Sequence, residues 1–268
     1  MRQHTTNFQK QNIQSPQLQK IPNKKRIKVV GWGAVVLLLI GCLLIFFNEQ
    51  IRDWTIAHRS QQFALKRVSP NDILQNKKKK GNYGFSQVQP IDSKTILLEH
   101  PNYSGVIGAI AIPDVQLNLP VFEGVGGDNL FYGAGTMKEG QIMGSGNYAL
   151  AGHHIFDSLY GDNSSMLFSP LQNAKQGMLI YLTDKATVYS YRITSVTTVG
   201  GDEGEIIFDK GEKSLITLIT CTDAEATARI AVQGELVKTE AWERVPKLQK
   251  IFNQPYNKDY DLQNTVFN

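Results

Sequence analysis

The chain has 268 residues, a formal net charge of +4 and only two cysteines. Two cysteines exclude a disulfide-stapled scaffold, and 41% hydrophobic residues supply enough apolar surface for a sizeable core. Much of the positive charge lies in the N-terminal tail and in residues 77–80, on either side of an apolar segment. This placement favours an anionic membrane surface as the partner and argues against nucleic-acid binding.

The first element is an apolar run over residues 29–47, nineteen residues without a charge. A helix needs about 20 such residues to cross a bilayer. No small-residue cleavage site follows the run, which argues against a secretory signal peptide. Four basic residues directly precede it: Lys24, Lys25, Arg26 and Lys28. The positive-inside rule therefore predicts a single-pass membrane protein with a cytoplasmic tail at 1–28, a transmembrane helix at 29–47 and all later residues outside.

The next segment, 48–90, reads as a juxtamembrane helix broken at Pro70, followed by a lysine-rich linker. From 91 to 240 the pattern changes to short β-type runs separated by Gly, Asn, Asp and Pro. These runs cover 105–112, 118–122, 147–152, 178–182, 187–199, 214–221 and 230–238. Seven or eight strands in this length predict one antiparallel barrel or sandwich. Residues 241–268 lose the pattern, and we expect a mobile tail with one helical turn.

Cys221 ends one of the predicted strands, and the second cysteine, Cys42, lies inside the apolar run. A thiol without a partner outside the cytoplasm suggests catalysis or a bond to another molecule. The alternative is a small buried hydrophobic residue. Arg229 opens the following strand, so a hairpin would bring the guanidinium about 5 Å from the thiol. Alternatively, Arg229 is an edge residue that pairs with Asp223 or Glu225.

Two adjacent histidines, His153 and His154, follow the predicted strand that ends at Gly152. Adjacent residues on a strand point to opposite faces, so only one of them is expected to face a cleft. A thiol nucleophile that transfers acyl groups needs an imidazole to protonate its leaving amine. Cys–His chemistry is therefore a sensible hypothesis, which spacing alone does not prove.

The sequence lacks the residues that a zinc site, a phosphate-binding loop or a serine hydrolase requires. No His or Cys spacing fits a zinc site. The glycine-rich stretches 124–127 and 133–135 lack the strand, helix and lysine of a phosphate loop, and we interpret them as turns. The G-x-S-x-G motif of serine hydrolases does not occur in the sequence.

The motifs together resemble the sortases, the cysteine transpeptidases of Gram-positive cell surfaces. Residues 217–221, TLITC, match the family's TLxTC signature, and Arg229 falls where its catalytic arginine follows. Residues 151–153 are similar to its A-G-H segment. Residues 108–113 and 119–122 are similar to its first strands, so the resemblance covers roughly 104–238. The N-terminal anchor, and the lack of a C-terminal transmembrane segment or lid, resemble class A members.

The resemblance implies a mainly-β fold, a closed sortase-type β-barrel, antiparallel or mixed, of about eight strands over residues 91–240. It implies cleavage of LPxTG-type signals between Thr and Gly, with transfer to a lipid II-type peptidoglycan amine. The catalytic residues would be Cys221, His153 and Arg229, and the candidates for substrate binding are Ala151, Thr217, Ile219 and Thr220. The expected partners are LPxTG-bearing surface proteins, the precursor amine and membrane lipid. The alternatives are a pilus-linking or hydrolysing sortase, and a non-enzymatic membrane-anchored scaffold.

Some class A members bind calcium through acidic residues before the histidine, but residues 133–145 contain a single carboxylate, Glu139. Calcium prefers six to eight oxygen ligands, so we expect no metal cofactor.

We also expect Cys221 and His153 to be mostly neutral at pH 7, because the sequence offers His153 no evident carboxylate partner.

Overall fold

The computed structural model describes residues 24–84, 91, 105–126, 129–156, 164–201, 203–223 and 226–256, with backbone only for 24–30. The chain divides into two compact units, Met1–Phe47 and Asn48–Asn268. The first contains helix α1, Lys24–Phe46. Among the described residues no single helix is both long and apolar enough to cross a bilayer, whereas Gly31–Phe46 and Asn48–Arg67 taken together reach that length and composition.

The second unit is built on a closed barrel of eight strands in the order β1-β2-β3-β4-β7-β8-β6-β5. The strands are β1 Val106–Ile112, β2 Leu117–Phe122, β3 Ala134–Thr136, β4 Asn147–Ala151, β5 Leu179–Thr183, β6 Thr187–Gly200, β7 Leu215–Cys221 and β8 Ala228–Ala241. Two neighbouring pairs are parallel, β2 with β3 and β4 with β7, and the others are antiparallel. The expected mainly-β closed barrel is thus confirmed, and it is mixed, whereas the strand pattern alone predicted an antiparallel arrangement. Seven of its strands lie where the sequence pattern indicated.

The strand β3 was not predicted, because residues 133–135 were interpreted as a turn. It has only three small residues, yet it pairs with β2 on one side and β4 on the other. The small side chains are required here: a Cβ on Gly135 would lie 2.4 Å from the carbonyl oxygen of Gly124. The close approach of two backbones, and not the local sequence, therefore creates this strand.

The barrel core is apolar, and strand β1 is buried on both of its faces. Ile110 and Ile112 belong to the main core, whereas Ala109 and Ala111 belong to a second cluster on the outer face. The buried apolar members that cover this outer face come from outside the strand: Leu65, Ile73, Val188, Val245, Ile251 and Phe252. Segments from both ends of the chain therefore complete the packing of the barrel.

The N-terminal segment of this unit contains α2, Asn48–Ser60, and α3, Pro70–Asn76, joined by two short 3₁₀ turns. Ile56 is fully buried within the main core. Pro70 starts α3 and does not break a helix, contrary to the sequence interpretation, because proline is tolerated at a first helical position. Ser69 caps that start, accepting a hydrogen bond from the Asp72 amide while the Asp72 carboxylate accepts one from the Ser69 amide.

The tail expected from residue 241 contains regular structure in 241–256, the part of it that the structure describes. A helical turn between β2 and β3 forms α4, Asn129–Tyr132. Helix α5, Pro246–Phe252, follows β8 after a short 3₁₀ turn and buries Ile251 and Phe252. The side-chain amide of Asn118 on β2 donates to the carbonyls of Ile251 and Gln254 at 3.0 and 3.2 Å, which satisfies the C-terminal end of the helix. Residues 257–268 lie outside the described residues.

Candidate active site

The ends of β7 and β8 bring Cys221 and Arg229 together. In the antiparallel register of these strands, Cys221 is the direct partner of Arg229. Both side chains are partly exposed. Directly opposite residues in an antiparallel pair have Cβ atoms about 4.5–5.5 Å apart, so the thiol and the guanidinium group emerge side by side. The predicted hairpin juxtaposition is therefore present.

His153 reaches the same edge from the other side of β7. Strands β4 and β7 are parallel, with Ala151 opposite Ile219, so their carboxyl ends point the same way. The Gly152 amide continues the ladder by donating to the Ile219 carbonyl at 3.1 Å. The Thr220 hydroxyl donates to the Gly152 carbonyl at 2.9 Å. The peptide before His153 is thus fixed to the residue before Cys221.

The pleat of β7 separates the thiol from the barrel interior. Leu218 belongs to the main core, whereas Ile219 belongs to a cluster on the opposite face, the one that Cys221 shares by alternation. That cluster consists of Val199, Ile219 and Ala231, with Met137, Ile206 and Ile207 packed against it. An apolar surface on the outside of the barrel therefore leads to the thiol.

Burial sets the protonation of both candidate catalytic groups. It raises the pKa of the Cys221 thiol, and the opposing effect of Arg229 is smaller than this desolvation. Asp223 raises it further. The imidazole of His153 stays partly accessible but is surrounded by protein, and this desolvation lowers its pKa to about 4. Both shifts favour the neutral thiol and the neutral imidazole.

Arg229 is held by the loop between β7 and β8. Its guanidinium donates from Nη1 to the carbonyls of Ala226 and Ala228 at 2.6 and 3.1 Å. Ala226 has a φ of 57°, a left-handed conformation that costs energy for an alanine. Asp223, which the sequence offered as a partner for Arg229, instead accepts hydrogen bonds from Thr222 and Thr227. The cation therefore braces a strained turn beside the thiol.

The four candidates for substrate binding divide into two pairs. Ala151 and Ile219 are 7% and 8% exposed and lie in apolar clusters that share Met137. Thr217 is fully buried, donates to Asn147 Oδ1 at 2.8 Å and accepts from Gln233 Nε2 at 3.1 Å. Thr220 is also buried and bonded to Gly152. The two threonines are thus committed to contacts within the protein.

Sequence reasoning missed Phe131, which stacks on His153 with ring centroids 6.0 Å apart and an interplanar angle of 22°. It also missed Ile206 and Ile207, which cover the apolar surface beside Ile219. These residues come from short helical turns distant in sequence from the site, and no local pattern marks them. His154, the second histidine, is buried and stacks on Phe156 at 4.3 Å. Within the described residues no group of three or more His, Cys, Asp or Glu is arranged to hold a metal ion.

The chain is similar in sequence to proteins of a known family. The family model described as the sortase domain matches residues 110–237. The chain is 49% identical over 243 residues to sortase A of Streptococcus agalactiae, covering 88% of this chain and 98% of that protein. It is 39% identical to sortase A of Listeria monocytogenes over 77% of this chain and 91% of that protein. The crystal structure of Listeria monocytogenes sortase A superimposes on this chain with a TM-score of 0.47. The matched region is 60% of this chain and 97% of the chain in that crystal structure.

Proposed function

This chain belongs to the sortase family, and from that premise we propose that it is a sortase A-like cysteine transpeptidase. It cleaves LPxTG-type sorting signals between Thr and Gly and transfers the acyl chain to the amine of a peptidoglycan precursor. The observation that carries the proposal is the pairing of Cys221 with Arg229, with Gly152 and His153 fixed to the same edge. A thiol, a cation and an imidazole at one edge are the groups that acyl transfer needs.

In the first step the Cys221 thiol passes its proton to the His153 imidazole, and the thiolate attacks the carbonyl carbon of the Thr–Gly bond. The charge that develops on the carbonyl oxygen is stabilised by the guanidinium of Arg229. When the C–N bond breaks, His153 gives a proton to the departing glycine amine. The product is a thioester on Cys221 and a free peptide with an N-terminal glycine.

In the second step the amine of the precursor attacks the thioester. His153, now neutral, accepts the proton that the amine loses, and the sulfur leaves as the thiolate. An amide bond forms, the thioester bond breaks, and proton transfer restores the resting thiol and imidazole. The low pKa of His153, about 4, suits a group that must return to the neutral form before each aminolysis.

The apolar surface next to Cys221 supports binding of the Leu-Pro portion of the signal. Ile219 belongs to it, and Ala151 lies in a neighbouring cluster that shares Met137 with it. The two residues are 8% and 7% exposed. Thr217 and Thr220 contribute by holding β4, β7 and β8 in register, through their bonds to Asn147, Gln233 and Gly152.

We further propose that residues 29–47 anchor the enzyme in the cell membrane, with 1–28 cytoplasmic and the catalytic unit extracellular. The exposed apolar side chains of α1 support this, because a soluble environment rarely tolerates such a surface. The partners are then LPxTG-bearing surface proteins, a lipid II-type amine and membrane lipid. Calcium is not required.

The test is transfer of an LPxTG peptide to triglycine by the full chain in detergent, with Cys221→Ala as the matched variant. We expect the wild type to form the joined product and Cys221→Ala to form none while keeping the wild-type unfolding temperature. A Cys221→Ala protein that still cleaves and joins the peptide would refute the proposal. Addition of calcium or a chelator is expected to leave the rate unchanged.

Acceptor choice is tested in the same assay. Triglycine, a lysine side chain of a pilin-type peptide and water compete as nucleophiles for the thioester. Joining of triglycine supports the wall-anchoring reaction. Predominant joining of the lysine, or hydrolysis without transfer, would point to a pilus-linking or a hydrolysing sortase. A folded protein whose Cys221 resists a methanethiosulfonate reagent and which joins nothing would instead be a scaffold.

A further inference from the structure

One aromatic side chain covers the candidate acid/base. The ring of Phe131 stacks on the imidazole of His153, with centroids 6.0 Å apart and planes inclined by 22°. Phe131 is 5% exposed, so it is itself buried at this position. One face of the imidazole is therefore closed to water, and its rotation about the Cβ–Cγ bond is restricted.

Phe131 lies on a rigid support. It belongs to the helical turn α4, Asn129–Tyr132, between β2 and β3. The Asn129 side-chain amide donates to the carbonyls of Glu123 and Gly124, both at 3.0 Å. The Gly124 amide donates to the hydroxyl of Thr136 on β3 at 2.7 Å. The turn is thus tied to both strands that flank it.

The next residue fixes the turn from its other side. Tyr132 packs on Phe63 with ring centroids 5.5 Å apart. Its hydroxyl accepts a hydrogen bond from Arg59 of α2 at 3.4 Å. The turn that carries Phe131 is therefore held between the barrel and the N-terminal segment, which leaves the Phe131 ring little freedom.

Histidines that act in catalysis are usually oriented by a hydrogen bond to one ring nitrogen. Within the described part of the chain no hydrogen bond reaches either ring nitrogen of His153. The backbone carbonyl of His153 accepts one from the Phe168 amide at 2.9 Å, which fixes the main chain but not the ring. Among the described residues, the contact that orients the imidazole is therefore the packing of Phe131.

We infer that Phe131 is a positioning residue, which holds the imidazole plane of His153 toward Cys221 and keeps water from its covered face. The inference rests on the proposed function, since it assigns how that same site is set. Two charged groups among the described residues, Arg229 and Asp223, act on the thiol of Cys221. Burial alone accounts for the low pKa of His153, so removing a covering ring should move it.

The experiment uses the full chain with Phe131→Ala, Phe131→Leu and Phe131→Tyr. In Phe131→Ala we expect kcat to fall about tenfold with KM changed less than about twofold, because the imidazole is misplaced while the peptide surface is intact. The acid limb of kcat/KM should move up by about one pH unit or more, toward the ordinary histidine pKa. Phe131→Leu should give an intermediate shift, and Phe131→Tyr should restore the wild-type profile.

Two controls make the result decisive. Phe252→Ala removes an equally buried phenylalanine from α5, and should lower the unfolding temperature without moving the acid limb. NMR titration of the His153 ring in the Cys221→Ala background reads its pKa without any turnover, so it tests Phe131 even if transpeptidation fails. A Phe131→Ala protein with a lower unfolding temperature but an unchanged acid limb and an unchanged His153 titration would overturn the inference.

Discussion

At the scale of single residues, the site combines two groups whose pKa values are displaced in opposite directions by the same cause. Burial raises the pKa of the Cys221 thiol and lowers that of the His153 imidazole. Desolvation disfavours the charged form of each. The reactive thiolate and imidazolium are therefore a minor population at neutral pH, and we expect a slow enzyme with a bell-shaped pH profile.

This predicts the alkylation behaviour of Cys221. A thiol whose pKa is raised is protonated throughout the neutral range, so its thiolate fraction falls about tenfold for each pH unit below that pKa. The rate of reaction of the full chain with iodoacetamide should rise steadily from pH 5 to pH 9, as measured by mass spectrometry. A rate that is already at its plateau at pH 5 would show a preformed ion pair and contradict this reading of the site.

The Thr220 hydroxyl leads to a second prediction at this scale. Thr220→Val keeps the branched shape but removes the hydrogen bond to the buried Gly152 carbonyl. Leaving such a group unsatisfied costs about 1–3 kcal/mol of unfolding free energy. We expect urea denaturation to show this decrease in unfolding free energy. We also expect a lower kcat, because the Gly152–His153 peptide is no longer hydrogen-bonded to β7. Thr220→Ser should recover both, and equal stability of the Val and Ser variants would disprove the assignment.

At the scale of elements, β4 ends under a tight steric constraint. A Cβ on Gly152 would lie 2.6 Å from the ring of Phe168, which is fully buried. Gly152→Ala should therefore cost about 1–3 kcal/mol of stability through overpacking, and should reduce activity by displacing His153. Gly201→Ala is the matched control, because nothing lies within 4 Å of its Cβ. Equal denaturation midpoints for the two variants would show that the Phe168 ring moves aside without cost, which would contradict this prediction.

The elements also separate what the sequence could predict from what it could not. The hairpin of β7 and β8 was predictable, since two β runs joined by a short polar loop pair locally, and it placed Arg229 beside Cys221. Helix α5 could have been found, because Leu248, Ile251 and Phe252 follow helical spacing. By contrast, β3 exists only through its partners, and Phe131 reaches His153 only through tertiary packing, so neither leaves a local signal.

At the scale of the whole molecule, the catalytic unit begins at Asn48, well before the first strand. Its N-terminal segment was expected to be a helix and linker outside the barrel, but Ile56 and Phe63 pack in the main core. The chain therefore uses residues on both sides of the barrel sequence to bury apolar surface. This could not be read from the segment itself, where apolar residues are interspersed with charges.

Two truncations test this description. Removal of residues 1–47 should leave a soluble protein with wild-type activity on a soluble peptide, since the second unit stays whole. Removal of residues 1–68 also deletes Ile56, Phe63 and Leu65, which are 0–5% exposed. Loss of one such side chain costs about 2–5 kcal/mol, so the shorter protein should melt well below the longer one in calorimetry. Coincident melting curves would contradict the packing described for this segment.

The strand order limits when the catalytic groups can meet during synthesis and folding. The hairpin of β7 and β8 is the last part of the barrel to be synthesised, yet it fits between β4 and β6 and closes the cylinder. Chains emerge from the ribosome N-terminus first, and contacts between distant segments form slowly because loop closure is entropically costly. The sulfur can therefore meet the imidazole only after this hairpin has been synthesised and has paired with β4. A nascent chain that carries only the earlier strands lacks the nucleophile. Catalytic activity can therefore begin only after the last hairpin has been made.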